Sequence, residues 1–146
     1  MELFDINIET LYENLIQLSI AFILPIFTAW EREKASRSAG IRTFPLVSMA
    51  SCGFTILAMS MFDDAGAQAK IVAGIVTGIG FIGGGAILKD KSDVSGTSTA
   101  AAIWLTGAVG IAIGLGRLEI AVALSIMTFI TFKLIAKVKD EVNIND

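Results

Sequence analysis

Apolar residues run along this chain in five blocks, at residues 15–30, 44–62, 71–88, 100–116 and 118–136, with short polar stretches between them. Within a block the apolar positions do not alternate with polar ones, so none has the period of a half-buried strand. A helix of 18 residues, the length of block 71–88, rises about 27 Å, close to the ~30 Å of a bilayer's hydrocarbon core. The pattern predicts an all-α membrane protein, a compact bundle of five transmembrane helices forming one domain over residues 1–146. Pro25 is expected to kink the first helix, and Pro45 falls in the first turn of the second, where proline is tolerated. Gly114, Gly116, Arg117 and Glu119 divide the last two blocks, because one continuous helix of ~55 Å would overshoot the membrane.

The third block, IVAGIVTGIGFIGGGAIL, has no charged side chain and six glycines. Glycine is a poor helix former in water, but in lipid an unpaired amide has no water to turn to. Gly74 and Gly78 stand four apart, as do Gly80 and Gly84, and this small-xxx-small spacing lets a second helix backbone approach. The third helix is therefore expected at the buried centre of the bundle. In the fourth block Gly107, Gly110 and Gly114 share one face, so helices three and four are expected to pack through glycine faces. Gly78-Ile-Gly80-Phe-Ile-Gly83 also matches the dinucleotide fingerprint. However, it lies in mid-helix, no strand precedes it and no acid stands at the required distance, so helix packing is the reading kept.

Composition agrees with lipid as the solvent: 54% of residues are apolar and 17% charged, against roughly 25% charged in a soluble domain. The net charge of −3 and the lack of a basic block give nucleic acid no footprint. There is no histidine, which removes histidine bases, serine and cysteine triads and histidine metal sites. The chain is therefore expected not to be an enzyme and to need no cofactor. The one cysteine, Cys52, lies in an apolar block and reads as a small buried hydrophobe.

Five spans sort the eleven lysines and arginines nine to two. Arg32, Lys34, Arg37, Arg42, Lys89, Lys91, Lys133, Lys137 and Lys139 fall on one side; Lys70 and Arg117 fall on the other. The positive-inside rule then places the amino terminus outside and the carboxyl terminus in the cytoplasm. The acidic first 14 residues lack the basic region of a signal peptide.

Few residues carry candidate chemistry. Glu31, Arg32 and Glu33 follow Trp30 at the membrane boundary, and Arg42-Thr43 opens the second span opposite them. This is either a solvated basic loop or a charge network with a ligand or partner site, with Arg42 paired to Glu31 or Glu33; Lys70, before the third span, is the remaining candidate cation. Ser95, Gly96, Thr97, Ser98 and Thr99 precede the fourth span, either as helix caps or as an anion site beside Lys89 and Lys91. Asp63 and Asp64 could offer oxygen ligands to Mg²⁺, though adjacent acids in a link are commonly just solvated. Gln17, Ser48, Ser51, Thr55, Thr77 and Thr106 read as interhelical hydrogen-bonders. No span centre holds Asp, Glu, Lys or Arg, which speaks against a proton-coupled or cation pathway through the bundle.

Three blocks carry a family resemblance. They are Glu31-Arg32-Glu33 with Ala39-Gly40-Ile41-Arg42-Thr43; Lys70-Ile71 running into Gly78-Ile79-Gly80-Phe81-Ile82-Gly83-Gly84-Gly85-Ala86-Ile87-Leu88; and Val94-Ser95-Gly96-Thr97-Ser98-Thr99-Ala100-Ala101-Ala102-Ile103-Trp104. Together they resemble the membrane domain of the MgtC/SapB family of bacterial inner-membrane proteins, without the soluble carboxyl-terminal domain of some members. Phe44 stands where the family usually has histidine, and Ser95 where it usually has arginine. The resemblance implies a multi-pass inner-membrane protein linked to growth in low magnesium, acid resistance and survival in host cells. It further implies regulation of partner membrane proteins, such as an ATP synthase or a cation ATPase, or alternatively movement of Mg²⁺ or another small solute at an oligomer interface. The glycine faces predict a homodimer or larger homo-oligomer.

Overall fold

The computed structural model describes residues 7–35, 39–90 and 93–143. Helix α1 (Ile8–Ile23) starts where the Asn7 side chain accepts from the Glu9 and Thr10 amides, at 2.9 and 3.2 Å. This cap carries the first helix well upstream of residue 15, the expected start. Pro25 interrupts it, and α2 (Ile26–Ala35) resumes at once. The Leu24 amide still bonds Ile20 O and Pro25 O accepts from Ala29 N, so the ladder closes on each side of the break that proline, lacking a donor, makes. The rod formed by α1 and α2 runs over 26 residues, Ile8–Glu33, as one candidate span. The acidic and basic residues after Trp30 are therefore helical rather than part of a loop.

Helix α3 (Thr43–Met61) carries Pro45 in its first turn. Helix α4 (Ala65–Gly85) begins six residues before the expected 71, because Asp64 caps it by accepting from Ala67 N at 2.7 Å. It ends at Gly85, where Ala86 N and Ile87 N bond back to Gly83 O and Gly84 O in a tightened last turn. The next segment, expected to be a turn-rich link, is a short antiparallel hairpin. Strand β1 (Leu88–Asp90) pairs with β2 (Asp93–Ser95), Leu88 opposite Ser95 and Lys89 opposite Val94.

Helix α5 (Thr97–Gly114) starts at Gly96, whose φ of 85° is left-handed. A side chain there would also strike the Ala86 carbonyl, so only glycine fits between hairpin and helix. Gly116, at φ 71°, closes the other end. Its amide bonds Ile113 O at 2.9 Å while Arg117 N bonds Ala112 O at 2.8 Å, the Schellman pattern that satisfies orphan carbonyls. The chain then reverses into α6 (Leu118–Asn143), which runs past the expected end at 136.

Among the described residues the protein is thus all-α apart from the hairpin, and four rods, Ile8–Glu33, α3, α4 and α5, are long and apolar enough to cross a membrane. The centre is α5, which packs against α1, α3, α4 and α6. Its apolar window is 56% buried, that of α4 only 6%. The expectation that the third helix is the buried centre is corrected. The side facing α5 carries Ile79 and Gly83, the buried residues of α4. A Cβ at Gly74, Gly78, Gly80 or Gly84 would meet nothing within 4 Å.

The close approaches belong to α5. A Cβ at Gly110 would strike Ser48 O on α3, and one at Gly114 would sit 2.6 Å from Thr55 Cβ and 2.8 Å from Cys52 O. Gly107 faces the Ile79 side chain of α4, and a Cβ at Gly83 would be 3.1 Å from Ala100 O. The core falls into two clusters: Ala29, Phe44, Val47, Ile79, Ala102 and Ile103 toward the Arg32 end, and Ala21, Cys52, Val109, Ala112, Ile113 and Ala121 toward the Arg117 end.

Candidate functional site

On α2, Thr28 and Ala29 are buried, at 3% and 0% exposure. Arg32 lies one helical turn beyond Thr28, so the helix that buries those two also turns Arg32 toward the bundle. One terminal nitrogen, Nη2, donates to Thr99 Oγ1 on α5 at 2.6 Å. The guanidinium carbon sits 4.8 Å from the ring centroid of Phe132 on α6, a cation–π contact worth on the order of 1 kcal/mol. The Nε is buried and has no partner. No carboxylate is paired with Arg32 among the described residues. One cation therefore ties three helices together at the end of the bundle that carries the hairpin.

Glu33 serves the neighbouring connection. Its Oε2 accepts from Ile41 N at 3.0 Å and lies where a Cβ on Gly40 would have to go. Absence of a side chain at Gly40 lets the carboxylate reach the backbone that leads into α3. Trp30 and Glu31 are both engaged as well. Arg42 is exposed, and no ion pair to Glu31 or Glu33 is formed among the described residues. The expected Arg42 pairing is thus replaced by Glu33 to backbone and Arg32 to Thr99. Thr43 opens α3, half-buried. Lys70 is at the other end of the bundle, exposed on the second turn of α4, and takes no part in this cluster. Lys34, Arg37 and Lys91 lie outside the described residues or side chains.

The serine- and threonine-rich run before α5 does not act as side-chain caps. Gly96 occupies the cap position and makes no side-chain hydrogen bond, while Ser95 ends β2. Thr99, fully buried, is the Arg32 partner. At the opposite end Asp64 is committed to capping α4 and Asp63 is exposed. Among the described residues no three metal-ligating side chains cluster. An exposed ion pair at this end, Arg117 Nε to Glu119 Oε1 at 2.6 Å, joins two neighbours in the α5–α6 turn.

The interior polar groups mostly serve their own helices. Ser51, Thr55, Thr106 and Thr77 donate to Val47 O, Ser51 O, Ala102 O and Ala73 O, each four residues back, at 2.7–2.9 Å. The expectation of interhelical bonds holds for Gln17, which donates to Ile113 O at 3.3 Å. The carbonyl one turn back is already aligned with a serine or threonine hydroxyl, so it is captured first. Ser48 Oγ is buried without a partner. Between α3 and α4 a groove of about 620 Å³ opens outward, lined by apolar residues that include Val47, Phe54, Gly74, Gly78 and Phe81.

The model of the MgtC family matches residues 18–141. The chain belongs to the MgtC family. It is 39% identical over 118 residues to an uncharacterized Synechocystis protein, covering 81% of this chain and 50% of that one. It is 36% identical over 129 residues to an Escherichia coli K12 protein named as a putative magnesium transporter, YhiD, covering 84% and 60%. Against protein MgtC of Salmonella typhimurium it is 31% identical over 133 residues, covering 91% and 57%. The chain thus spans half to three-fifths of the length of these relatives. No solved structure matches it. In this MgtC-family chain the blocks around Arg32 and Thr99 meet in space, whereas the Lys70 end of the glycine block lies at the far end of the bundle. Phe132 escaped the sequence reading: one aromatic in an apolar span carries no spacing signal, and its role appears only once α2 is laid against α6.

Proposed function

We propose that this chain is a non-enzymatic regulator of the MgtC type in the bacterial inner membrane, acting by helix contact with a partner membrane protein in adaptation to low magnesium or acid. The observation that carries this is the division of the glycines. Those of α5 close the centre of the bundle against α3 and α4, and its buried hydroxyls are mostly spent on their own helices. Gly74, Gly78, Gly80 and Gly84 of α4 face outward with nothing against them, beside an apolar groove. A closed centre offers no solvated path, while an open small-residue face is suited to a second helix. The resemblance points to an ATP synthase or a cation ATPase as the class of partner, and the same face suits a second copy of this chain. The topology that goes with this has the Arg32 end and the carboxyl terminus in the cytoplasm.

A second reading is favoured by one observation, the naming of the E. coli relative as a putative magnesium transporter. In it, Mg²⁺ or another small solute passes at an oligomer interface. Proteoliposomes holding only this protein, with Mg²⁺ and protons followed separately, decide between the two. Vesicles that stay tight with well-folded protein support regulation. Flux that disappears in Gly78→Leu or Gly80→Leu protein overturns it in favour of transport. In the regulatory case, Gly80→Leu and Gly84→Leu are expected to abolish self-association or partner capture while leaving the fold intact.

A further inference from the structure

We propose that the Arg32 end of the bundle binds the phosphate of an anionic phospholipid, with one acyl chain lying in the groove between α5 and α6. Two separate features meet there. The first is the cation. Arg32 is fixed by Thr99 and Phe132, has a buried Nε without a partner, and has no carboxylate beside it among the described residues. A half-buried guanidinium with no acid paired to it among the described residues is electrostatically incomplete, and its remaining donors match a phosphate better than any other membrane group. The second is the groove, a cavity of about 290 Å³ that starts at Ser98 and Phe132 and descends past Ala101 to Leu105 and Leu124. Its upper rim carries hydroxyls, from Ser98 and Thr131, and its lower part is apolar.

Phe132 belongs to both features. Its ring carries the guanidinium and also lines the groove, so charge and slot are adjacent. The order matches a lipid: a phosphate at the membrane boundary, where Arg32 sits at the end of the 26-residue span, and hydrocarbon below it. Basic pockets between transmembrane helices on the cytoplasmic side are the usual setting for such head groups. The exposed Lys89 on β1 lies at the same end and adds to the local positive field. The groove between α3 and α4 has no such cation, since its lining is apolar with one serine and two glycines. Charge is what separates the two clefts.

The test uses the full chain in nanodiscs of phosphatidylcholine containing a minor fraction of phosphatidylglycerol, with lipids retained on release counted by native mass spectrometry. Phosphatidylglycerol is expected to be retained in preference to phosphatidylcholine. Arg32→Gln is expected to weaken retention about tenfold, the loss associated with one charge-assisted hydrogen bond, and Arg32→Lys, which keeps the charge but not the planar fork, to lose less than Arg32→Gln. Ala101→Phe, which fills the groove and leaves Arg32 in place, is expected to abolish retention as well. Millimolar inorganic phosphate is expected not to displace the lipid. Equal retention of both lipids, loss in Arg32→Lys as large as in Arg32→Gln, or insensitivity to Ala101→Phe would each overturn the proposal. Displacement by inorganic phosphate would overturn it too, since the cation would then serve a soluble anion. None of these outcomes depends on whether the protein regulates or transports.

Discussion

Gly96 carries two constraints at once: a left-handed backbone, and a Cβ position already occupied by the Ala86 carbonyl. Gly96→Ala is expected to destabilise the protein by at least the 1–2 kcal/mol, roughly, that a left-handed conformation costs an ordinary residue. Thermal unfolding in detergent checks this; an unchanged melting temperature would mean that hairpin and helix part easily. Cys52 offers a second reading of the core. Cys52 is fully buried on α3, within the second core cluster. A maleimide is therefore expected to leave folded protein unlabelled and to react once the chain is denatured. Labelling at comparable rates in both states would show that the Arg117 end opens on the time scale of the reaction. Both residues were conspicuous in the sequence, but only Cys52's role was legible there. Gly96 was one of five residues in a run that looked like side-chain capping, and nothing local shows that Ala86 comes back against it.

Among elements, α4 and α5 carry similar glycine patterns and use them in opposite ways. Paired substitutions separate the two uses. Gly110→Ala forces a methyl group into Ser48 O of α3 and is expected to cost about 1–3 kcal/mol, the range for overpacking a closed interface. Gly80→Ala meets nothing within 4 Å, and is expected to leave the melting temperature unchanged or raise it slightly, alanine being the better helix former. Equal effects in monomeric, detergent-solubilised protein would contradict the placement of α5 at the centre. Spacing located both glycine faces but did not say which neighbour each would meet. That depends on which helix is enclosed by the others, and small-residue spacing is the same whether the partner helix lies within the chain or beyond it.

On the scale of the whole molecule the two ends differ in chemistry. One end gathers Arg32, Glu33, Arg42, Lys89 and the hairpin; the other gathers Asp63, Asp64, Lys70 and the Arg117–Glu119 pair. The proposed topology puts these ends on opposite sides of the membrane. In a Cys52→Ser background, Lys89→Cys is expected to react with a membrane-impermeant thiol reagent from the cytoplasmic side only, and Lys70→Cys from the outer side only. Reactivity of both from one side would break the five-span arrangement.

The sequence alone determined that this is a helical membrane protein of the MgtC family, with apolar runs long enough to span and turns punctuated by glycine, proline and polar residues. Those properties depend on span length, solvent and local backbone chemistry, which are written residue by residue. Boundaries moved where a cap was set by one side chain, Asn7 or Asp64, or where three glycines ended a helix early, at Gly85. The tertiary structure alone decided which helix is central, that Glu33 bonds backbone rather than Arg42, and that Arg32 joins Thr99 and Phe132 across residues far apart in the chain. The reason is that in lipid the hydrophobic pattern no longer marks an inside face: nearly every position of a span is apolar. Which faces meet is then settled by side-chain shape and the few polar groups, and these act only once the helices are side by side.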